Sequence, residues 1–258
     1  MEIYLYSFIF FLGTLFGSFF NVVIYRLPLG MSVVKPRSSC TVCGRTIPWY
    51  ENIPLISYLI LRGKCSHCGA KFSIRYFLIE FMVGIVFVLI SLNVHPFLEP
   101  LKWIMLATIA SIFICHFFID LEHHLLLDSL NVVLLIAALI NIYISGDYSY
   151  RLLGGAIGFF GPFLISLAFL KLRGKVGLGG GDVKLFGVLG LILGPFGVLM
   201  NLFLSSFVGS ILTLILMMTK GIDKKNPFAF GPYILLVASF QIFAPELFAK
   251  ISHFIFPD

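Results

Sequence analysis

The chain has 258 residues, of which 59% are hydrophobic and only 12% are charged. This charged share is about half that of a typical soluble protein, and several uncharged stretches reach the roughly 20 residues with which a helix spans a bilayer. The composition excludes an ordinary soluble domain and predicts an all-helical protein that crosses the membrane several times.

The hydrophobic segments predict where the membrane helices lie. The N-terminal sequence MEIYLYSFIFFLGTLFGSFF has no basic leading region and no small-residue cleavage site, so it predicts a retained helix rather than a removed signal peptide. The uncharged run Leu185–Thr219 is too long for one crossing, and the motif LGPFG (193–197) predicts a tight turn within it. About eight helices are therefore expected, near 3–25, 77–97, 101–119, 129–145, 152–170 and 228–248, with two more on either side of that turn.

These helices divide the chain into a first transmembrane helix (1–26), a cytoplasmic insert (27–76) and a helical membrane bundle (77–258). With the N-terminus outside, most Lys and Arg residues, including Lys224 and Lys225, fall in the predicted cytoplasmic loops, as is usual in membrane proteins. This distribution explains the net charge of +6 without a nucleic-acid partner, so membrane lipid is the expected environment.

Four cysteines of the insert form two pairs with the spacing of metal ligands. Cys40 and Cys43 lie in CTVCGR, and Cys65 and Cys68 lie in CSHCGA. Four thiolates on two such turns predict a zinc-ribbon-like, tetrahedral structural zinc site, because an insert of about 50 residues has too little core to fold without one. Two disulfides or a redox dithiol pair are the alternative, which a reducing cytoplasm disfavours.

Two carboxylates are predicted at the cytoplasmic ends of membrane helices. Asp120 closes the third span in FFIDLEHHLLLD, and Asp182 opens the sixth in GLGGGDVKLF. Ionisable residues in such positions are candidates for function, and these two can converge because they lie at the same level. Two carboxylates that meet share a proton, so one acts as a base and the other as an acid toward a water molecule, as in aspartic proteases.

The three glycines before Asp182 have two interpretations. Gly179–Gly181 let the backbone pass close to a partner helix or an extended substrate, and they permit a positive φ before the helix starts. Alternatively they form a flexible helix entrance, with Asp182 in the first turn and stabilised by the helix dipole. The residues alone leave both interpretations open.

Other polar residues nearby have structural interpretations. Asp128 begins the fourth span in DSLN and is predicted to be its N-cap. His123 and His124 are expected to be solvated at the interface rather than to bind a metal with Asp120. Cys115, inside the third span, is expected to be a buried, inert thiol.

Together these motifs resemble those of the bacterial type IV prepilin peptidases, which are GxGD-type membrane aspartic proteases. This sequence departs from the usual family pattern at Leu127 and Thr41, where proline is usual, and neither change removes a catalytic or ligand atom. The resemblance covers the first-helix exit GSFFNVVIYRLP (17–28), the zinc-binding loop (40–80), the aspartate motifs FIDLEHHLLLD (118–128) and GLGGGDVKLFGVLG (177–190), and the last-helix entrance NPFAFGPYI (226–234).

The resemblance implies that Asp120 and Asp182 are the catalytic pair of an enzyme in the bacterial cytoplasmic (inner) membrane, with its active site facing the cytoplasm. The family enzymes remove a short basic leader from type IV prepilins and pseudopilins after a Gly. Members with the full first loop, which this chain has, also methylate the new N-terminal amine with S-adenosylmethionine. A bifunctional peptidase and methyltransferase with a structural zinc ion is therefore expected.

Three other functions are compatible with parts of the sequence. The first is a peptidase without methyltransferase activity. The second is a membrane thiol redox protein that uses the two CxxC pairs. The third is an ion or proton transporter that uses Asp120 and Asp182, which would need polar residues deeper in the spans, whereas the mid-helix positions are mostly apolar.

Overall fold

The computed structural model describes residues 2–220 and 229–255, and the helical architecture predicted from composition is confirmed there. Of two single-turn 3-10 helices, Leu27–Leu29 lies at the start of the first loop and Trp49–Glu51 lies within it. The α-helices of the described residues are α1 (Glu2–Arg26), α2 (Ile56–Ile60), α3 (Ile74–Asn93), α4 (Pro100–His123), α5 (Asp128–Ser145), α6 (Tyr148–Arg173), α7 (Gly180–Lys220), α8 (Gly231–Phe243) and α9 (Pro245–Ile255).

In the described part of the chain, six helices are long and apolar enough to cross a membrane: α1, α3, α4, α5, α6 and α7. The protein is thus a multi-pass membrane protein by length and composition. The helix α8 is apolar but shorter than these six. The expectation of eight crossings therefore stays a prediction.

The chain forms two compact units, Met1–Ala107 and Thr108–Asp258. In the first unit, α1 and α3 approach so closely that a Cβ atom on Gly13 would lie 2.8 Å from the Cα of Gly84. A Cβ on Gly17 would similarly lie 2.7 Å from the Cα of Glu80. Small residues at such crossings let membrane helices pack backbone to backbone, so these glycines fix the α1–α3 pair.

In the second unit, the turn predicted at LGPFG is present as a break in α7. Gly194 has φ 77° and ψ 178°, a conformation that essentially only glycine adopts. Asp182 and Ser206 line one cavity, although a straight helix would separate them by about 36 Å. The chain therefore reverses at Gly194, and the two halves of α7 lie side by side.

Side chains of α5 and α6 cap a backbone carbonyl group beside this break. The Ile192 carbonyl oxygen accepts hydrogen bonds from the Arg151 guanidinium of α6 and the Asn141 amide of α5. Backbone groups at membrane depth need partners inside the protein. Arg151 also donates to the Ser145 hydroxyl at 2.7 Å, which ties the ends of α5, α6 and the first half of α7 together.

Two helix boundaries differ from the sequence prediction. The third span was expected to end at residue 119, but α4 continues to His123, so Asp120 lies inside the helix. The last span was expected to run over 228–248, but α8 ends at Phe243 and α9 starts at Pro245. Proline lacks a backbone N–H and restricts the residue before it. Lys224, Lys225 and positions 226–228 of NPFAFGPYI lie outside the described residues.

Candidate active site

Asp120 is held in the last turns of α4, with only 5% of its surface exposed. It faces the start of α8, where a Cβ atom on Gly231 would lie 2.6 Å from its Oδ2 atom. The backbone N–H of Gly231 interacts with the carboxyl group. Only glycine leaves room for this approach, and a helix N-terminus favours a negative charge.

Asp182 is the third residue of α7 and is half-buried. It lines a cavity of about 840 Å³, together with the loop residues Gly177–Gly179 and residues of the second half of α7 that include Ser206 and Ser210. The backbone N–H of Gly179 interacts with its carboxyl group. A cavity of this size is within the range of sites that enclose small ligands or short peptide segments.

The fold brings the two aspartates to one place. Their carboxyl groups interact electrostatically, and Leu126 of the α4–α5 connection links their surroundings. A Cβ atom on Gly181 would lie 2.9 Å from the Leu126 Cβ, and one on Gly231 would lie 3.2 Å from the Leu126 Cδ2. The start of α7, the start of α8 and the end of α4 therefore meet around these carboxyl groups.

The three glycines before Asp182 have different roles. None of Gly179–Gly181 has a positive φ, so the backbone does not use the left-handed region that these glycines permit. The predicted close approach holds for Gly181 against Leu126. A Cβ on Gly179 would lie 2.9 Å from Asp182 Oδ2, whereas Gly180 faces open space. Glycine is therefore needed at Gly181, where the backbone passes close to Leu126, whereas the contact at Gly179 is with the movable end of the Asp182 side chain.

This difference predicts the effect of alanine at neighbouring positions. Gly181→Ala is expected to displace the start of α7, and with it the predicted catalytic residue Asp182, from Leu126 and to lower the catalytic rate by about tenfold or more, since small displacements of reacting groups are costly. Gly180→Ala, one residue away, is expected to leave that rate within about twofold because its Cβ meets nothing. Equal rates for the two variants would show that the Gly181–Leu126 approach is unimportant.

Asp128 does not cap α5, so that prediction is wrong. The N-cap is Leu127, which makes no side-chain hydrogen bond, and Asp128 lies in the first turn. Its two carboxylate oxygens each accept a hydrogen bond at 2.8 Å from the Lys184 Nζ atom. Lys184, which follows Asp182 by two residues on α7, therefore binds the Asp128 side chain that the local sequence assigned to capping α5.

This ion pair predicts a mild phenotype. The side chains of Asp128 and Lys184 are 67% and 52% exposed, and exposed pairs contribute about 0–1 kcal/mol to stability. Asp128→Asn is expected to lower the thermal midpoint by only a few degrees, about 4 °C at most, and to leave catalytic activity within about threefold. Loss of activity in this variant with normal folding would instead place Asp128 in the reaction.

The other polar residues and thiols of α4, the α4–α5 connection and α5 divide into exposed and buried groups. His123 and His124 are exposed, and Cys115 is 1% exposed, as predicted. His116 and Asn131, to which the sequence assigned no role, are 0% and 5% exposed. The signal available in the sequence was a histidine within an apolar run four residues before Asp120.

The four cysteines of the first loop form one cluster. Their sulfur atoms all lie within 4.8 Å of one another, and those of Cys40 and Cys68 are 3.8 Å apart. A tetrahedral ion with bonds of about 2.3 Å to sulfur requires sulfurs about 3.8 Å apart. The four thiols therefore point at one centre, as a metal site requires, rather than forming two separate dithiols.

Two equivalent turns build this cluster. The Gly44 N–H donates to the Cys40 carbonyl and the Gly69 N–H donates to the Cys65 carbonyl, each at 2.9 Å. Both glycines have φ 72°, so glycine is required after each CxxC. The isolated bridges Ser39–Thr46 and Lys64–Lys71 close the two turns.

The ionisation of the thiols shows why the cluster suits a cation. Backbone N–H groups of Cys43 and Val42 lower the pKa of Cys40 to about 6. The Ala70 backbone N–H favours the Cys68 thiolate, but burial and the neighbouring cysteines outweigh it and raise the pKa of Cys68 to about 11. Successive thiolates repel one another, so a cation at the centre would favour the ionisation of all four thiols.

Glu80, which is 8% exposed, anchors this loop to the membrane helices of the first unit. Its Oε2 atom accepts a 2.8 Å hydrogen bond from the Leu55 backbone N–H, and its carboxyl group also interacts with Ser18 of α1. Leu55 has φ 60° and ψ −51°, and the Ile56 N–H donates to the Pro54 carbonyl. This is a strained γ-turn, held in place by a buried carboxyl group.

Two family models match consecutive parts of this chain. Residues 11–94 match the bacterial peptidase A24 N-terminal domain, and residues 105–214 match the type IV leader peptidase family. The search of the solved structures found no match.

Three similar curated proteins are all named prepilin leader peptidase/N-methyltransferase. The chain is 34% identical to the one from Neisseria gonorrhoeae over 261 residues, which cover 90% of this chain and 87% of that protein. It is 35% identical to that of Xanthomonas campestris pv. campestris over 260 residues, covering 90% and 88%. It is 35% identical to that of Myxococcus xanthus over 216 residues, covering 83% of this chain and 64% of that protein. The chain therefore belongs to the type IV leader peptidase family.

Proposed function

We propose that this protein is an aspartic endopeptidase that removes the leader of type IV prepilins or pseudopilins and then methylates the new N-terminus. The observation that carries the proposal is the meeting of Asp120 and Asp182 beside a cavity of about 840 Å³. The similar proteins, which bear the name of both activities, support it.

The two carboxyl groups act as one acid and one base. Because they are close, they carry one proton between them. The ionised carboxylate takes a proton from a water molecule, whose oxygen attacks the scissile carbonyl, while the protonated carboxyl donates its proton to the carbonyl oxygen. Collapse of the tetrahedral intermediate breaks the C–N bond, and the leaving nitrogen takes a proton to become a free amine.

The surroundings of the pair serve this chemistry. The Gly231 N–H at the start of α8 and the Gly179 N–H before α7 fix the two carboxyl groups. The cavity beside Asp182 receives an extended stretch of substrate around the bond to be cut. Placed at the cytoplasmic ends of α4 and α7, the site cuts the chain where a basic leader leaves the membrane.

Methyl transfer completes the proposed activity. S-adenosylmethionine would supply the methyl group to the amine that cleavage frees, and we assign it no binding residues. The enzyme lies in the bacterial cytoplasmic membrane with its N-terminus outside.

Zinc is the metal proposed for Cys40, Cys43, Cys65 and Cys68, because a tetrahedral set of four thiolates is typical of structural zinc. There it would hold together a loop that has little core of its own. The convergence of all four thiols on one centre makes this site better suited to a structural ion than to dithiol exchange.

Mass spectrometry of a prepilin incubated with the purified enzyme and S-adenosylmethionine tests the proposal. The expected products are the released leader, ending in Gly, and a mature chain heavier by one methyl group. A mature chain without the methyl group would restrict the function to peptidase activity. An intact prepilin would contradict the proposal.

A further inference from the structure

A buried polar pair lies one helical turn from Asp120. His116 is on α4 four residues before Asp120, so the two side chains share a face of the helix, with Cβ atoms about 5–6 Å apart. The His116 imidazole lies near the side chain of Asn131 on α5, although no hydrogen bond of good geometry joins the two. His116, Asp120 and Asn131 are 0%, 5% and 5% exposed, so all three lie in the interior of the second unit.

These side chains have unused hydrogen-bonding capacity. Among the described residues, no hydrogen-bond partner satisfies either ring nitrogen of His116, either amide atom of Asn131 or the Oδ2 atom of Asp120. Each buried unsatisfied group costs about 1–3 kcal/mol. An apolar pair of similar size would avoid this cost, so packing alone does not account for these residues.

Asn201 of α7 is a buried polar residue of the same unit whose hydrogen bonds give it a structural role. Its amide nitrogen donates to the Ile234 carbonyl at 3.2 Å and to Gln241 Oε1 at 2.9 Å. The Gln241 amide in turn donates to the Gly197 carbonyl at 2.8 Å. This network joins α7 to α8 through three hydrogen bonds and leaves only the Asn201 Oδ1 atom without a partner among the described residues, whereas no polar side-chain atom of His116 or Asn131 has one.

We propose that His116, oriented by Asn131, is a positioning residue for Asp120. The imidazole N–H acts on the Oδ2 side of the carboxyl group through a bridging water, and Asn131 fixes the orientation and the tautomer of the ring. Such an orienting chain keeps a reacting group in its productive geometry. The inference rests on the proposed function, because it assigns a task only if Asp120 takes part in cleavage.

The experiment uses the full-length enzyme and compares His116→Phe, Asn131→Leu, the double variant and His116→Gln. Cys115→Ala is the matched control, because Cys115 is the adjacent residue of α4 and is equally buried. The measurements are kcat and KM for prepilin cleavage, the thermal midpoint, and methyl transfer to a pilin that has already been cut. The last two report on folding independently of Asp120.

The expected loss of kcat for His116→Phe and for Asn131→Leu is about 10–100-fold, the usual effect of removing an outer orienting partner. KM stays within about twofold because no substrate contact is removed, and methyl transfer stays within about twofold because it does not use Asp120. The double variant is no slower than His116→Phe, because the two residues act as a unit. The kcat of His116→Gln, which keeps an N–H donor, is expected to be at least about tenfold higher than that of His116→Phe. The kcat of Cys115→Ala is expected to lie within about twofold of wild type.

Three results would overturn the proposal. The first is a kcat within twofold of wild type for both single variants. The second is a parallel fall of kcat, thermal midpoint and methyl transfer, which would show a packing role only. The third is a multiplicative loss in the double variant, which would show that Asn131 does not act through His116. If the His116→Phe protein does not accumulate, the kcat of Asn131→Leu, compared with that of Cys115→Ala, decides whether the proposal holds. Cleavage by Asp120→Asn would instead refute the proposed dyad.

Discussion

Replacing either aspartate by asparagine is expected to abolish prepilin cleavage. Asp120→Asn and Asp182→Asn each remove the proton exchange of one carboxyl group while keeping its shape. General acid–base groups contribute about 10²–10⁴-fold each to rate, so a loss of about a thousandfold or more in kcat is expected, as measured by the rate of leader release.

Two other properties show whether Asp120→Asn and Asp182→Asn still fold. Methyl transfer to a pilin whose leader has already been removed is expected to continue, because it needs a free amine rather than the aspartate pair. Bound zinc is also expected to stay, because all four cysteines lie in the first unit. Cleavage at more than a tenth of the wild-type rate by either variant would show that the residue is not catalytic.

Disrupting the cysteine cluster is expected to unfold the first loop. Cys40→Ser or Cys65→Ser removes one of four converging ligands, and structural zinc sites supply folding free energy directly, about 10–16 kcal/mol in small zinc domains. The expected results are loss of bound zinc, measured by elemental analysis, and rapid proteolysis between residues 30 and 73. Methyl transfer is also expected to fall when the loop unfolds, because the family resemblance links this activity to the full first loop.

The fifth cysteine is the control for this change. Cys115→Ser alters a thiol that lies outside the cluster, in the middle of α4, so zinc content and loop stability are expected to match wild type. Full zinc binding by both Cys40→Ser and Cys65→Ser would contradict the proposed site. Zinc loss in Cys115→Ser would point to a general defect in folding.

The sequence predicted well the features that depend on residues close together in the chain. A hydrophobic run long enough to span a bilayer forms a helix because its backbone groups have no other partner there, and α1, α5 and α6 follow the expected spans closely. The break at Gly194 was foreseeable from Gly and Pro in an apolar run. Each CxxC followed by Gly specified its own turn, with the positive φ that only glycine adopts freely.

The features that the sequence missed depend on which side chains meet across helices. Asp128 has the local pattern of an N-cap, but Lys184 of another helix reaches it. Gly180 and Gly181 are indistinguishable in sequence, yet only Gly181 faces Leu126. His116 and Asn131 are isolated polar residues within apolar runs, and only the fold shows that they lie near each other on α4 and α5.

The most direct test of the account is a comparison of the prepilin cleavage rates of Asp120→Asn, Asp182→Asn and the double variant. Two carboxyl groups that share one proton act as a unit, and the loss of either then costs as much as the loss of both. The account predicts that all three variants retain the same residual rate. A double variant that loses the product of the two single losses would contradict it, because the two aspartates would then act independently.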